Sequence, residues 1–480
     1  MVDKDLLSIQ EARALVRAAR KAQAEYALLD QAKVDALVKA IADTAAAHAE
    51  TLAAMAVEET GFGKVQDKKT KNLLASEKLY AAIKEMKTIG VVLDDPVRKL
   101  VEIAVPMGVI AGIVPSTNPT STTIYKSMIA LKAGNAIVFT PHPSAKNCIA
   151  KTVEMIRGVL HDCGVCEDLV SVMSVPTLEG SGELMRQVDL ILATGGPGMV
   201  KAAYSSGTPA LGVGAGNVPA YIERSANIED AVTKILASKT FDNGTVCASE
   251  QSIVTDAVVA DKVKATLIAQ GGYFLEGEKL EKVKRVMERG NGSMNPGIVG
   301  RDAITIAKLA GIDVPVGTRL LVSDEKGVGP RFPFSKEKLT ALLGFYVVED
   351  WKEACELCHA LLKNGGIGHS LAIHSHNEAV IREFGLKKPV SRLLVNTPST
   401  HGAVGLSTSL FPSFTLGCGA VGGSSTSDNV TPMNLLNIRR VAYDLGGSAC
   451  CQQPEAAKAD EGLDIKAITA MIVEQLKQMA

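Results

Sequence analysis

The sequence carries almost no surplus of charge: 51 Lys and Arg oppose 52 Asp and Glu, a formal net charge of -1. Without a basic excess there is no electrostatic footprint for a phosphate backbone, so nucleic acid is not among the expected partners. Long hydrophobic runs are missing too. Stretches such as AIVF and LILA are far too short to cross a bilayer, so no membrane association is expected. The opening MVDKDLLSIQEARALVRAARKAQAEY has early acidic residues and no uninterrupted apolar core, which argues against a secretory signal and for a cytoplasmic address. Cysteine is sparse and odd in number, nine in 480 residues, which in a reducing compartment is a poor basis for a disulfide framework. No repeat with a period of 20 to 50 residues is visible. Aromatics are only 4%, against 43 glycines, a balance that suggests tight turns and close backbone approaches of the kind α/β enzymes use around nucleotides.

What is present is a chain too long for one hydrophobic core, so two or more domains are expected. From about residue 8 to 90 the apolar positions recur at helical spacing, as in Ala12, Leu15, Val16, Ala19 and Ala22, then Val34, Leu37, Ile41 and Ala45, and the reading is a set of helices. The pattern then changes to the β-branched runs of VRKLVEIAVPMGVIAGIVPSTNPTS and LKAGNAIVFTPHPSA. A helical stretch near 145 to 161, the strand-like LVSVMSV, a short helix and the strand LILATGG follow. A second round of alternation, SEQSIVTD to SRLLVNTP, predicts another α/β domain from about 241 to 425. Strands alternating with helices imply mostly parallel, doubly wound sheets.

Three short stretches bear on chemistry. FDNGTVCASEQS, residues 241 to 252, places Cys247 beside a glycine turn at the expected domain boundary. There a thiolate can form near backbone N–H groups, although a small buried cysteine is a common alternative. LATGGPGMV, residues 192 to 200, sets glycines after a strand and before a helix, where N–H groups can meet phosphate. GVGAGNVP, residues 212 to 219, contains Gly-x-Gly-x-Gly, by itself a weak dinucleotide signal.

Together with IVPSTNPTS, EKL at 337 to 339, GGIGHS, LLVNTP and TLGCGAVGGSSTSDNV, these stretches resemble the coenzyme A-acylating branch of the aldehyde dehydrogenase superfamily, over residues 8 to about 445. The resemblance implies two Rossmann-like α/β domains with a β oligomerisation arm. It assigns residues 1–240 to cofactor binding with N-terminal helices, 241–425 to the catalytic domain and 426–445 to the arm, and implies a homo-oligomer, dimer or tetramer. It further implies that Cys247 attacks the aldehyde, that Asn118 donates to the oxyanion, and that Glu337 holds the nicotinamide ribose. Pro115, Ser116, Thr140, His142, Thr194, Gly195, Gly196 and Gly214 are the remaining expected cofactor contacts. His369 is expected to carry protons or touch coenzyme A, with a packing role as the alternative.

Hydrolytic relatives carry a glutamate that activates water. Laid over GVGAGNVP by its trailing proline, that position is Val213. With no base there, coenzyme A is the expected acyl acceptor and an acyl-coenzyme A the product. Relatives also commonly have Lys at about Thr140 and an acid near Ser144 to hold the adenosine ribose; neither is present, so NADP stays open beside NAD, the expected cofactor. Acetaldehyde is the expected substrate, with propionaldehyde and sulfoacetaldehyde as alternatives. Hydrolysis to the free acid and a catalytically silent assembly subunit are the competing functions.

No metal is expected. Cys163 and Cys166 with His161 lack a second pair at finger spacing, and Cys355-Glu-Leu-Cys358-His359 falls in a helical stretch. The tail changes composition: GGSACCQQPEAAKADEG reads as a flexible linker, 446–462. Beyond it, 463–480 places Ile465, Ile468, Ile472, Leu476 and Met479 on one helical face. That pair of features resembles the encapsulation peptides of bacterial microcompartment enzymes, which implies a shell protein as partner and a place inside a microcompartment; docking onto the parent domain is the plainer alternative.

Overall fold

A computed structural model describes residues 3–290 and 293–445. The expected linker and terminal helix, with Cys450 and Cys451, lie outside the described residues. By contacts the chain divides into a large unit, Met1–Gly90 with Ala104–Asn437, and a small one that joins Val91–Ile103 to the stretch beginning at Ile438.

The N-terminal helices are present at the expected spacing. Lys4–Tyr26 begins at Asp3, whose carboxylate accepts from the N–H groups of Asp5 and Leu6, and it buries Ala12, Val16, Ala19 and Ala22. Gln31–Ala47 buries Val34, Leu37, Ile41 and Ala45. Helix Val65–Leu73 runs directly into a π-helical segment, Leu74–Lys78.

Two parallel sheets form the large unit. The first has the order Val170–Val172, Ala136–Pro141, Val109–Val114, Leu190–Thr194, Ala210–Val213. The chain starts in its centre, works outward to one side and then crosses to the other, so the strand order reverses between Val109–Val114 and Leu190–Thr194. A crevice opens beyond the carboxyl ends of two such strands, because their following connections leave in opposite directions. Pro115 and Gly195 sit at those ends. The fully buried helix Pro119–Lys132 packs under this sheet.

The second sheet has seven strands, in the order Gly272–Leu275, Leu320–Asp324, Leu342–Val348, Glu250–Asp256, Val218–Ile222, Gly368–His374, Val390–Val395. Every pairing in it is parallel. Here the expected boundary at residue 240 needs correction. Val218–Ile222 is an inner strand of the second sheet, and helix Ile228–Thr240 buries Ile228, Val232, Ile235 and Leu236 in the same core as Ile253, Val263 and Leu342. The five-residue run VPAYI is short and interrupted by Pro219, so its apolar pattern did not stand out from the glycine turn before it. The change from one sheet to the other therefore falls in Gly214–Asn217.

The small unit is a three-stranded sheet ordered Gly90–Asp95, Leu100–Pro106, Leu436–Ala442. Arg440 Nε donates to Glu102 at 2.9 Å across it. The stretch expected to act alone as an arm thus takes two of its three strands from residues read as part of the first domain.

The seven described cysteines are free thiols. Cys355 and Cys358 lie one turn apart on helix Trp351–Lys363 and pack into the core beside Tyr221 and Phe384, which accounts for the Cys-x-x-Cys-His pattern by packing alone. Among the described residues no group of three or more His, Cys, Asp or Glu stands together as a metal site, and no helix is long and apolar enough to cross a membrane.

Candidate active site

A cavity of about 650 Å³ opens at the strand-order reversal. Its wall takes Pro115, Ser116, Thr117 and Asn118 from the end of one strand, and Thr194, Gly195 and Gly196 from the end of the other. Thr140 and His142, Gly214, Cys247 and Glu337 complete the set. Eleven of the twelve residues singled out from the sequence therefore converge on one space, although they come from segments more than 200 residues apart.

Each segment has a local reason for its place. Pro119 and Pro197 each open a helix at the position where a missing N–H costs nothing, so the chain turns sharply out of the sheet at Asn118 and Gly196. A Cβ built on Gly196 or Gly214 would meet no atom within 4 Å. The absent side chains leave open space against bare backbone, which suits close approach of a dinucleotide. Thr140 Oγ1 pairs with Ser181 Oγ at 2.7 Å, and His142 Nδ1 accepts the Ser144 N–H at 3.2 Å, so no carboxylate occupies the places where the resemblance calls for one. Lys4 and Asp5, from the first helical turn, also line the cavity; nothing in their sequence context signals that.

Cys247 lies on the turn between a 3-10 segment, Phe241–Gly244, and the central strand Glu250–Asp256. Gly216 is indispensable to that arrangement. A Cβ there would fall 2.1 Å from the Cys247 carbonyl oxygen and 3.1 Å from His369 Cγ, so only glycine lets the two sheets' connecting strand pass this close. Its N–H donates to Glu337 Oε1 at 3.1 Å.

Burial dominates the electrostatics. It pushes the Cys247 thiol up to about 12, with the Glu337 carboxylate adding to the rise and Arg392 opposing it. The same burial raises Glu337 to about 7, against the pull of the Gly216 N–H and Lys239. Arg392 and Cys418 thus belong to the thiol's surroundings, Cys418 from within TLGCGAVGGSSTSDNV and Arg392 from just before LLVNTP. Arg392 is itself pinned by the carbonyls of Gly417 and Ser427.

His369 is the one expected site residue outside the cavity wall. It is fully buried behind Gly216, its Nδ1 lies 3.0 Å from Ser370 Oγ, and its Nε2 has no partner among the described residues. Burial, assisted by Arg392, lowers it to about 3, so the imidazole is neutral.

Asn118 occupies the N-cap position of helix Pro119–Lys132 without capping it. Its Oδ1 instead accepts from Lys71 Nζ at 2.6 Å, and its Nδ2 donates to Thr117 Oγ1 at 3.2 Å. Beside the main cavity is a space of only about 10 Å³, walled by Leu74, Phe241, Val246, Val404, Leu406 and Phe414, with Lys71 and His401 at its edge. Val246, Val404 and Phe414 border both spaces.

The chain matches known proteins along most of its length. Residues 5–282 match the model of the aldehyde dehydrogenase family. Over 442 residues it is 46% identical to the bifunctional aldehyde-alcohol dehydrogenase AdhE of Escherichia coli, covering 91% of this chain and 50% of that one. It thus spans about half the length of the curated aldehyde-alcohol dehydrogenases it matches. An acetylating aldehyde dehydrogenase from Geobacillus thermoglucosidasius superposes with a TM-score of 0.91 at 48% identity, over 95% of this chain and 100% of that one. A propionaldehyde dehydrogenase from the Clostridium phytofermentans fucose utilisation bacterial microcompartment superposes with a TM-score of 0.82 at 30% identity, over 90% and 97%. The match over residues 5–282 and the similarity across both sheets have one common account: this chain belongs to the aldehyde dehydrogenase family.

Proposed function

We propose that this chain oxidises a short apolar aldehyde, acetaldehyde foremost, to its coenzyme A thioester, reversibly, with NAD or NADP as hydride acceptor. The observation that carries the choice of acceptor is Val213. It ends a strand, is buried, and stands where hydrolytic relatives place the carboxylate that activates water. Coenzyme A arrives with a thiol far more acidic than water and needs no such base. The acetylating relatives support the same reading.

In this reading Cys247 Sγ releases its proton to solvent and bonds to the carbonyl carbon. The oxygen of the thiohemiacetal gathers negative charge and is met by the Asn118 amide and the Cys247 N–H. When bound, NAD or NADP would supply the hydride acceptor, and the cavity residues Pro115, Gly195 and Glu337 would hold it, Glu337 at the ribose. Loss of hydride leaves an acyl thioester on Sγ. Attack by the coenzyme A sulfur forms the product thioester and returns the thiol. His369, neutral and with an open Nε2, suits transient acceptance of a hydrogen bond from one of the two thiols better than storage of a proton.

The small apolar space beside Val246 supports acetaldehyde. At about 10 Å³ it is at the lower limit for one water-sized group. The ammonium on its edge, Lys71, is engaged by Asp242 and Asn118, so it is not free to pair with a carboxylate or sulfonate tail. Thr140 and Ser144 offer no acid to repel a 2′-phosphate, so NADP is accepted beside NAD. Exposed Val91, Val97, Val441 and Tyr443 on the small unit support assembly into a homo-oligomer, dimer or tetramer. The microcompartment origin of one relative and the apolar stripe in the sequence of 463–480 support a shell-directing tail.

Following nicotinamide reduction with short aldehydes, with and without coenzyme A, tests the proposal. Strict dependence on coenzyme A is expected; equal turnover without it would assign the enzyme to hydrolysis instead.

A further inference from the structure

Two lysines of helix Val65–Leu73 read in sequence as solvated charges, KVQDKKTKN, but Lys68 and Lys71 are each only 2% exposed. Both turn toward Asp242, whose carboxylate is fully buried. Lys68 Nζ donates to Asp242 Oδ2 at 2.9 Å and to the Thr117 carbonyl at 2.9 Å. Lys71 Nζ donates to the same carboxylate and to Asn118 Oδ1, with Thr245 O and Oγ1 further off at 3.3 and 3.4 Å. Asp242 is in turn held by the Lys64 N–H at 2.7 Å and Thr245 Oγ1 at 2.7 Å, in a left-handed conformation with φ 48°.

Burying two ammonium groups is costly even when they are paired, and packed apolar side chains would usually serve stability as well or better. The ions are therefore in need of a reason beyond stability. Their other contacts supply one: each lysine reaches past Asp242 to one residue of the turn Thr117–Asn118. An asparagine carboxamide can flip, with oxygen and nitrogen exchanging places at little cost in shape. Opposite an ammonium it cannot, because an ammonium donates and never accepts. The Asn118 amide is drawn away from its own helix N-terminus, where it would ordinarily cap, and its nitrogen is left with one hydrogen on Thr117 and one to spare.

We infer that Lys71 is a positioning residue: anchored by Asp242, it fixes the Asn118 carboxamide in the orientation that presents N–H to the oxyanion formed at Cys247. The cation also polarises the amide, which makes that N–H a stronger donor. The inference rests on the role given to Asn118 under the proposed function.

A double-mutant cycle reads it. Lys71→Met, Asn118→Ala and the double variant are compared in the first-turnover rate of nicotinamide reduction. Asn118→Ala is expected to slow hydride transfer about 100- to 1,000-fold, as loss of one oxyanion donor does. Lys71→Met is expected to slow it about 10- to 100-fold, with KM for aldehyde and dinucleotide little changed. The double variant is expected to be no slower than Asn118→Ala, because Lys71 acts only through the amide. Losses that multiply, or a Lys71→Met enzyme as fast as wild type, would overturn the inference. Lys71→Gln, which still offers an N–H to Oδ1, should recover part of the loss, and it replaces Lys71→Met in the cycle if that variant melts below the assay temperature. The coenzyme A requirement is read separately on wild type, so a failed acceptor assignment is told apart from a failed role for Lys71.

Discussion

Glu337 and Cys247 both meet the Gly216 backbone, and the Glu337 carboxylate raises the affinity of the Cys247 thiol for a proton. Replacing Glu337 with Gln removes a charge that is present above pH about 7 and that opposes the thiolate. Glu337→Gln should therefore speed alkylation of Cys247 by iodoacetamide at pH 8 several-fold while weakening dinucleotide binding. Alkylation rates and a dinucleotide titration check both signs.

The ligand-free thiol itself should be sluggish. With Cys247 held up to about 12, its alkylation rate should climb about tenfold for each pH unit between 7 and 10, since thiolate is the reacting form. A plateau near neutral pH would show the thiol already activated before any ligand binds.

Gly216→Ala is a purely steric test. Its methyl would fall 2.1 Å from the Cys247 carbonyl oxygen, so the thiol-bearing turn must shift. Displacement of a nucleophile by even about 1 Å costs roughly 100-fold in rate. The variant should fold, keep its thiol titre, and lose at least that much activity.

Asp242→Ala leaves Lys68 and Lys71 buried without their shared carboxylate, and should cost about 3 to 5 kcal/mol of stability. Urea unfolding of the two proteins measures it. A loss under 1 kcal/mol would mean that the two ammonium groups find other partners.

The shape of the small space predicts an order of substrates. Acetaldehyde should exceed propionaldehyde in kcat/KM, and aldehydes with an anionic tail should fall well below both. Phe414→Ala, which removes a wall shared by both spaces, should move the preference toward longer chains. A panel of aldehydes at fixed coenzyme A gives the order.

Much of this architecture could be read from residue order. The spacing of Ala12, Val16, Ala19 and Ala22 specifies a buried helix face, and Thr194-Gly195-Gly196-Pro197 states a strand end, a turn and a helix start in four residues. The cavity contacts belong to short motifs, those around Pro115, Thr140, Thr194 and Gly214 at strand ends and those around Cys247 and Glu337 in turns ahead of a strand. Lys68 and Lys71 were not legible, since their partner Asp242 lies 174 and 171 residues away and a helix that is polar from Gln66 to Asn72 ordinarily faces water. Val218–Ile222 escaped for a different reason. A strand of five residues carrying a proline has too little alternation to be told from a loop. For His369 the motif left a catalytic and a packing role open, because GGIGHS gives no sign whether the ring faces the cavity or turns behind Gly216.

Trapping the acyl group tests the central claim most directly. The protein is mixed with acetaldehyde and NAD in the absence of coenzyme A, quenched, and mapped by peptide mass spectrometry. The account predicts acetyl on Cys247 Sγ, discharged as acetyl-coenzyme A when coenzyme A is added. Acetyl found on any other side chain, or lost to water as fast as to coenzyme A, would contradict it.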